Sequence, residues 1–183
     1  DEFKNYLSTI NRQIKDIESL VNEFSSFARM PSPIFEKIEI NQVVKRSVDF
    51  YKMSSTNEIY IKSQKIFFFI NGDEKQLHRV FMNLIKNSED SIAEKKEKDK
   101  LFKGKIVIEI IDNNECINVS LIDNGVGIKE TTKIMTPYFT TKKDGTGLGL
   151  PIVNKIINEH KSELIITNNN PGAKALIIFP KIK

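Results

Sequence analysis

The sequence has one cysteine, no tryptophan and two histidines among 183 residues. The lone cysteine, Cys116, excludes an internal disulfide and fits a chain that works in a reducing cytosol. Apolar runs reach only the length of a β-strand, as at residues 66–70, so this stretch contains no membrane-spanning segment. The net charge of +4 is also small, and composition therefore gives no argument for a nucleic-acid partner.

An apolar heptad pattern occupies the first thirty residues. Spacings that alternate between four and three residues join Phe3, Leu7, Ile10, Ile14, Ile17, Val21, Phe24 and Ala28. Tyr6, Leu20 and Phe27 widen this heptad stripe, as in a helix that packs in a bundle. Pro31 and Pro33 end the pattern. We predict a coiled-coil or bundle helix within residues 1–33 that pairs with a second copy or with a segment upstream of residue 1. The alternative is that the helix lies on the domain that follows.

Residues 34–183 predict one α+β domain, a two-layer α/β sandwich with a mixed sheet. Predicted strands occupy residues 35–40, 58–63, 66–70, 105–111, 116–122, 163–167 and 175–179, and predicted helices occupy residues 42–53, 73–93 and 148–160. Asn41 is expected to cap the first of these helices. The segments 58–63 and 66–70 are expected to pair as a hairpin. The charged residues 94–103 predict a solvated loop.

The predicted helix 73–93 carries two asparagines one turn apart. Asn83 and Asn87 lie at the flank of its apolar face, and Asp90 follows on the next turn. Amide oxygens at this spacing suit Mg²⁺, which prefers oxygen ligands and shares its coordination with phosphates. Taken alone, the pair is more simply explained as part of a solvated helix face without a ligand.

A short glycine segment follows the predicted strand 116–122. Its residues Asp123, Gly125 and Gly127 place a carboxylate beside backbone that a flat ring can approach. Such a carboxylate can accept a hydrogen bond from an exocyclic amine, and adenine carries one. The plainer interpretation of this segment alone is a hairpin turn.

A second glycine segment, residues 145–150, leads into the predicted helix 148–160. Backbone N–H groups at a helix start, together with the helix dipole, form a phosphate site; a hinge with a helix cap is the alternative. Residues 137–143 lie between the two segments and combine aromatic, hydroxyl and lysine side chains. This composition suits a flap that closes over phosphates.

In their order and spacing these segments resemble the ATP-binding domain of bacterial sensor histidine kinases, in the superfamily shared with DNA gyrase, Hsp90 and MutL. Residues 83–91 resemble the N box, 123–128 the G1 box, 137–142 the F box and 145–150 the G2 box. The heptad helix is similar to the second helix of the dimerisation and phosphotransfer domain. Its end at residues 27–33, with residues 137–150, most resembles nitrogen-regulation kinases of the NtrY type.

The resemblance implies a Bergerat-type fold, a mixed sheet covered by three helices, with ATP and Mg²⁺ as ligands. Asn87 would ligate Mg²⁺ with Asn83 beside it, and Asp123 would bind the adenine amino group. The implied ATP-binding residues are Asn83, Asn87, Asp90, Asp123, Gly125, Gly127, Ile128, Tyr138, Phe139, Thr140, Thr141, Lys142, Gly145, Thr146, Gly147, Leu148, Gly149 and Leu150. Two positions depart from the family pattern. Asp90 stands where some relatives carry a basic residue, and Ala175 where many carry threonine or serine.

The N-box turn bears on the reaction. ATPase relatives carry a glutamate there as general base for water, whereas Asn83 cannot accept a proton near neutral pH. The resemblance therefore implies transfer of the γ-phosphoryl to a histidine and then to a response-regulator aspartate. His78 and His160 lie outside the expected acceptor context, so the acceptor is expected on a helix upstream of residue 1. No catalytic residue is assigned within the chain.

The implied partners are a second copy of the chain, through the helix bundle, and a response regulator, with no nucleic acid. The implied location is cytoplasmic, with the full-length protein anchored at the inner membrane. Two other functions remain open: a non-catalytic nucleotide-sensing scaffold, and a protein-serine kinase of the anti-sigma-factor type. The long heptad helix argues against the second, because such a helix suits a histidine-bearing bundle.

Overall fold

The computed structural model describes residues 2–130, 133–140 and 145–182; the side chains of residues 16, 19–20, 22–23 and 26–27 are outside this description. Its elements, in chain order, are α1 (Glu2–Ala28), β1 (Glu36–Glu39), α2 (Ile40–Lys52), β2 (Glu58–Ser63), β3 (Phe69–Gly72), α3 (Glu74–Lys98), β4 (Lys105–Asn113), β5 (Cys116–Asp123), α4 (Gly149–Glu159), β6 (Glu163–Asn168) and β7 (Ala173–Pro180).

Helix α1 carries the predicted heptad stripe on its surface. The larger stripe residues with described side chains are between 45% exposed at Leu7 and 72% exposed at Phe3. This exposure contradicts the alternative interpretation, in which the stripe packs on the domain that follows. Leu20 and Phe27, which were predicted to widen it, have side chains outside the described part. Among the described residues, no helix is both long and apolar enough to cross a bilayer.

The linker between α1 and β1 is fastened to the start of α3. Asp73 is the N-cap residue of α3, and its carboxylate accepts hydrogen bonds from Gln76 N at 3.0 Å and from Ile34 N at 2.9 Å. The Gln76 side chain donates to the Pro31 carbonyl at 2.9 Å. The Phe35 ring packs 5.1 Å from the ring of His160, between centroids. These contacts, called the linker clasp below, hold residues 31–35 against the domain.

The domain is built on a mixed five-stranded sheet in the order β2-β4-β5-β7-β6. Strands β2 and β4 are parallel, and the remaining neighbours are antiparallel. Strands β1 and β3 form a separate antiparallel pair. Alternate residues of β4 (Ile106, Ile108 and Ile110) are fully buried, which gives the sheet one inner face.

Helices α2, α3 and α4 cover that inner face and share one apolar core with it. The predicted apolar face of α3 is buried at Leu77, Val80, Phe81, Leu84, Ile85 and Ile92. Its predicted N-cap is also confirmed, because Asp73 holds the Gln76 N–H. The predicted two-layer sandwich, with three helices over a mixed sheet, is therefore confirmed.

The predicted hairpin of residues 58–63 and 66–70 is wrong. Strand β2 instead pairs in parallel with β4, and β3 pairs with β1. Burial explains the difference: Ile59 enters the core beside β4, whereas Ile66 and Phe67 stay 78% and 59% exposed between the two sheets. The parallel ladder continues past β2, since Gln64 N donates to the Ile110 carbonyl at 3.0 Å.

Two further expectations are corrected. Asn41 does not cap α2, because the helix starts at Ile40 and its N-cap residue is Glu39. The Asn41 side chain instead donates to Ser63 Oγ at 2.8 Å and accepts from Phe68 N at 2.9 Å, which holds the chain after β2 in place. Residues 94–98 continue α3 instead of opening a loop. Their lysines stay in the helix because Lys95 and Lys96 both find oxygen partners beside it.

Candidate functional site

A buried carboxylate lies at the end of β5. Asp123 is 5% exposed and is held from three directions. Its Oδ1 accepts from Gly125 N at 2.8 Å and from Ala173 N at 3.3 Å, and its Oδ2 accepts from Ser88 Oγ of α3 at 3.1 Å. Burial raises the pKa of the Asp123 carboxyl, and the bonds from Gly125 and Ser88 offset only part of that effect. Among the described residues Ser88 is the donor to Oδ2, which keeps acceptor capacity for a ligand amine.

The first glycine segment passes so close to α3 that a side chain at Gly125 would not fit. A Cβ on Gly125 would overlap Ser91 Oγ, whose oxygen accepts from Val126 N at 3.1 Å. Gly127 adopts φ of 75°, in the left-handed region that favours glycine. The segment ends at Ile128, whose N–H and carbonyl are both bonded by the Asn168 side chain, at 2.7 and 2.9 Å.

The turn before β7 presses on the same carboxylate. Gly172 has φ of 93°, and a Cβ there would overlap the Asp123 carbonyl oxygen and lie 2.8 Å from Oδ1. Ala175 is buried two residues into β7, opposite Leu121. Backbone from two loops thus packs around the Asp123 carboxylate.

The predicted asparagines lie on α3, on the turns that precede Ser88. Asn83 Nδ2 donates to the Arg79 carbonyl at 2.8 Å, and its Oδ1 faces the start of α4, 3.1 Å from where a Cβ on Gly149 would stand. Asn87, one turn further along α3, is half-buried. The amide oxygen of Asn83 is therefore directed towards the second glycine segment.

Asp90 is half-buried on α3. Burial raises the pKa of the Tyr51 hydroxyl, and the charge of Asp90 adds to that effect. The Tyr51 hydroxyl donates to the Met82 carbonyl at 3.1 Å. Asp90 was predicted with the ATP-binding residues, and that role stays a prediction.

The second glycine segment packs against the predicted flap residues. Gly147 has φ of 70°, and a Cβ there would be 2.5 Å from the Tyr138 carbonyl carbon. The Gly147 carbonyl in turn accepts from Tyr138 N at 3.1 Å. Tyr138 itself has φ of 66° and is 53% exposed, and the neighbouring Phe139 is half-buried with Lys133 Nζ 5.9 Å from its ring centroid.

Helix α4 starts directly after this segment. Leu148 is its N-cap residue, is fully buried and supplies no side-chain cap, although its own N–H bonds Thr146 Oγ1 at 3.4 Å. Leu150 packs against the core. Gly145 is half-buried and Thr140 exposed. Thr141 and Lys142, which were also predicted to contact ATP, lie outside the described residues.

The structure thus brings together residues of all four predicted segments: the Asn83 turn with Gly149, residues 137–140 with residues 145–149, and the Asp123 loop with the same helix α3. Sequence reasoning missed Ser88, Ser91 and Lys95, which follow one another along α3 and hold the first glycine segment. Their spacing of three and four residues on one helix face was the available signal. It also missed Asn168 and Gly172, for which the sequence offers no comparable pattern.

The two histidines belong to the packing of the domain. The buried His160 accepts from Asp73 N at 2.9 Å through Nε2 and donates to the Ile156 carbonyl at 2.8 Å through Nδ1. His78 Nδ1 lies 2.8 Å from Ser47 Oγ. Both therefore have the structural role that the sequence predicted for them.

A family model described as histidine kinase-, DNA gyrase B- and HSP90-like ATPase matches residues 72–183. The match covers α3, α4 and both glycine segments, and the chain belongs to this family of ATP-binding domains. A protein of Rickettsia felis named as an NtrY-like sensor histidine kinase is 37% identical over 92% of this chain. The chain spans 28% of that relative's length.

Solved structures agree with this family. The catalytic domain of the histidine kinase ThkA is 27% identical, with a TM-score of 0.71 over 81% of this chain and 96% of that one. A second structure, of ThkA in complex with the response regulator protein TrrA, matches 98% of this chain and 52% of that one with a TM-score of 0.78 at 20% identity. The predicted resemblance to sensor histidine kinases of the NtrY type and the predicted fold are thereby confirmed.

Proposed function

We propose that the chain is the ATP-binding catalytic part of a sensor histidine kinase, which transfers the γ-phosphoryl of Mg-ATP to a histidine. The observation that carries this proposal is the position of two contacts along α3. Ser88 holds the Asp123 carboxylate, and Asn83, about 7.5 Å back along the helix axis, faces Gly149 at the start of α4. Base recognition and phosphate binding would then take place at two nearby positions along α3.

The donor set of α3 fits a magnesium ion. The Asn83 amide uses its nitrogen on the Arg79 carbonyl, which leaves the oxygen for a hard cation. Asn87 and Asn83 would hold the ion together with phosphate oxygens. When bound, the ion neutralises phosphate charge.

Transfer is favoured over hydrolysis because no carboxylate stands at the N-box position where ATPase relatives carry a base for water. Asn83 occupies the N-box turn. The next acid along the helix, Glu89, accepts from Ser55 Oγ and Asn57 Nδ2, both at 2.7 Å, and so serves the fold. The charge of Asp90 adds to the effect of burial in raising the pKa of the Tyr51 hydroxyl. Such a site positions ATP for an incoming protein nucleophile.

The nucleophile and the partners come from outside the described domain. We place the acceptor histidine on a helix that pairs with α1, because the heptad stripe of α1 is exposed along the helix. We assign residues 1–33 to the phosphotransfer bundle and residues 34–183 to the catalytic domain. A second copy would pair through the same bundle. A response regulator would then receive the phosphoryl group, as the complex of ThkA with TrrA supports. The full-length protein would be anchored in the inner membrane with this part in the cytoplasm.

The test is phosphoryl transfer to an acceptor supplied separately. This chain is mixed with a helix bundle that bears the acceptor histidine and with Mg-ATP labelled at the γ-phosphate. We expect base-stable, acid-labile label on the bundle, and none when the acceptor histidine is replaced by glutamine. ATP binding without any label on the bundle would contradict transfer and favour a nucleotide-sensing scaffold.

A further inference from the structure

One lysine of α3 reaches the backbone of the first glycine segment. Lys95 Nζ donates to the Asn124 carbonyl at 2.9 Å and to the Gly125 carbonyl at 3.2 Å. The side chain is half-buried, and its ammonium group lies 4.5 Å from the centroid of the Phe102 ring. Its position is therefore fixed from two sides, by carbonyl oxygens and by an aromatic face.

The two carbonyls belong to peptide units of the loop that packs around the Asp123 carboxylate. The Asn124 carbonyl shares a planar peptide with the N–H of Gly125, which bonds Asp123 Oδ1. The Gly125 carbonyl shares the next peptide with the N–H of Val126, which bonds Ser91 Oγ. Holding both oxygens thus fixes both N–H directions, and with them the loop that orients the Asp123 carboxylate.

We infer that Lys95 is a positioning residue for nucleotide recognition, acting through the loop 124–126 on the carboxylate that meets the base. The inference rests on the proposed nucleotide site. Lys95 does not touch the ligand in this account. It sets the angle at which Asp123 presents its free lone pairs and keeps the loop closed on α3.

The charge of Lys95 also acts on Asp123. Burial raises the pKa of the Asp123 carboxyl, while the nearby Lys95 ammonium lowers that pKa. The other groups that face the carboxylate are the Ser88 hydroxyl of α3 and the N–H groups of Gly125 and Ala173, which do not titrate. Removing the lysine charge should therefore move the protonation of Asp123 to higher pH.

The next residue offers a matched control. Lys96 Nζ bonds Asn57 Oδ1 at 2.6 Å and Thr56 Oγ1 at 3.2 Å, on the side of α3 away from the glycine segment. Lys96→Met removes the same charge one position away and leaves the loop contacts intact. Lys95→Arg keeps a charged donor at the original position.

The experiment measures dissociation constants of ATP, adenosine and inorganic tripolyphosphate by competition with a fluorescent ATP analogue. Lys95→Met should weaken ATP and adenosine by the same factor, about tenfold as for one lost charge-assisted hydrogen bond, and leave tripolyphosphate unchanged. Lys95→Arg should recover most of the loss, and Lys96→Met should match the unmodified chain. In a pH series, adenosine affinity of Lys95→Met should begin to fall at a higher pH.

Three results would overturn the inference. One is equal behaviour of Lys95→Met and Lys96→Met. Another is an equal loss of tripolyphosphate and adenosine binding, which indicates general unfolding of the site. The third is an unshifted pH profile in Lys95→Met. If the unmodified chain bound neither ATP nor adenosine, the nucleotide site itself would be wrong, and the inference would fall with it.

Discussion

Replacing Asp123 by asparagine tests the base-recognition part of the site. The substitution keeps the shape of the side chain and exchanges one oxygen for an amide nitrogen. Oδ1 can still accept from Gly125 N and Ala173 N, and the new Nδ2 can donate to Ser88 Oγ in place of the bond now made at 3.1 Å. The fold should therefore tolerate the change, and melting should shift little.

The nucleotide should not tolerate it, because the adenine amine would meet a second donor. The loss of one hydrogen bond to a charged group is worth about 1.5–3 kcal/mol, which corresponds to about 10- to 150-fold in the dissociation constant for ATP. GTP presents a carbonyl at the same ring position, which the new amide can satisfy. We therefore expect Asp123→Asn to weaken ATP much more than GTP.

Titration calorimetry with both nucleotides at constant magnesium, paired with thermal melting, measures the two effects. The same carboxylate predicts a pH effect in the unmodified chain. Burial raises the pKa of Asp123 in the folded state, so its protonated form is favoured there. ATP affinity should fall as the pH drops through that raised pKa, while the contribution of Asp123 to folding stability should rise over the same window. Equal losses of ATP and GTP in the variant would refute the assignment of Asp123 to adenine.

Three further substitutions test other parts of the molecule. Asn87→Ala should weaken ATP in the presence of Mg²⁺ and have little effect in its absence, with melting nearly normal; an equal loss in both titrations would argue against a metal ligand. Gly172→Ala should lower the free energy of unfolding by about 2–5 kcal/mol, because it adds strain at φ of 93° and an overlap with Asp123. Thermal denaturation measures this loss, with Gly149→Ala as a control. An unchanged melting temperature of Gly172→Ala would contradict the packing described. Asp73→Ala should cost about 1–2 kcal/mol, the loss of a helix cap, and speed proteolysis within residues 30–35. Burial by itself would raise the pKa of Asp73, but the bonds from Ile34 and Gln76 lower that pKa overall. The stabilisation by Asp73 should therefore be present above its pKa in the unfolded chain and disappear as the pH falls through its pKa in the folded chain. Cleavage of Asp73→Ala at an unchanged rate would show that Asp73 does not hold the linker.

Elements that bury one regular apolar face were predictable from sequence. In α3 the period of Leu77, Val80, Phe81 and Leu84 matches a helix that faces the core, and these residues are buried. Strand pairing was not predictable in the same way. The alternation in β2 indicates a half-buried strand, but it is the same for a hairpin with the next segment as for a parallel pairing with β4.

Residue type reports hydrogen-bonding capacity but not the partner. Asn41 has the chemistry of a helix cap, yet its amide ties down Ser63 and Phe68, which tertiary packing brings within reach. Lys95 reads in sequence as one of a run of solvated charges, and its contacts with the glycine segment exist only because β5 ends beside α3. The segments predicted to bind nucleotide were recognisable because each is local in the sequence, whereas the residues that hold them in place were not.

Helix α4 joins two distant features of the molecule. It starts at the second glycine segment and ends at His160, which belongs to the linker clasp with Asp73 and Phe35. Eleven helical residues span about 16 Å as a stiff rod. If α4 tilts as a rigid body, a displacement at Gly149 is accompanied by a displacement at His160, which contacts the linker to α1. The direction in which α1 leaves the domain is therefore linked to the position of the second glycine segment.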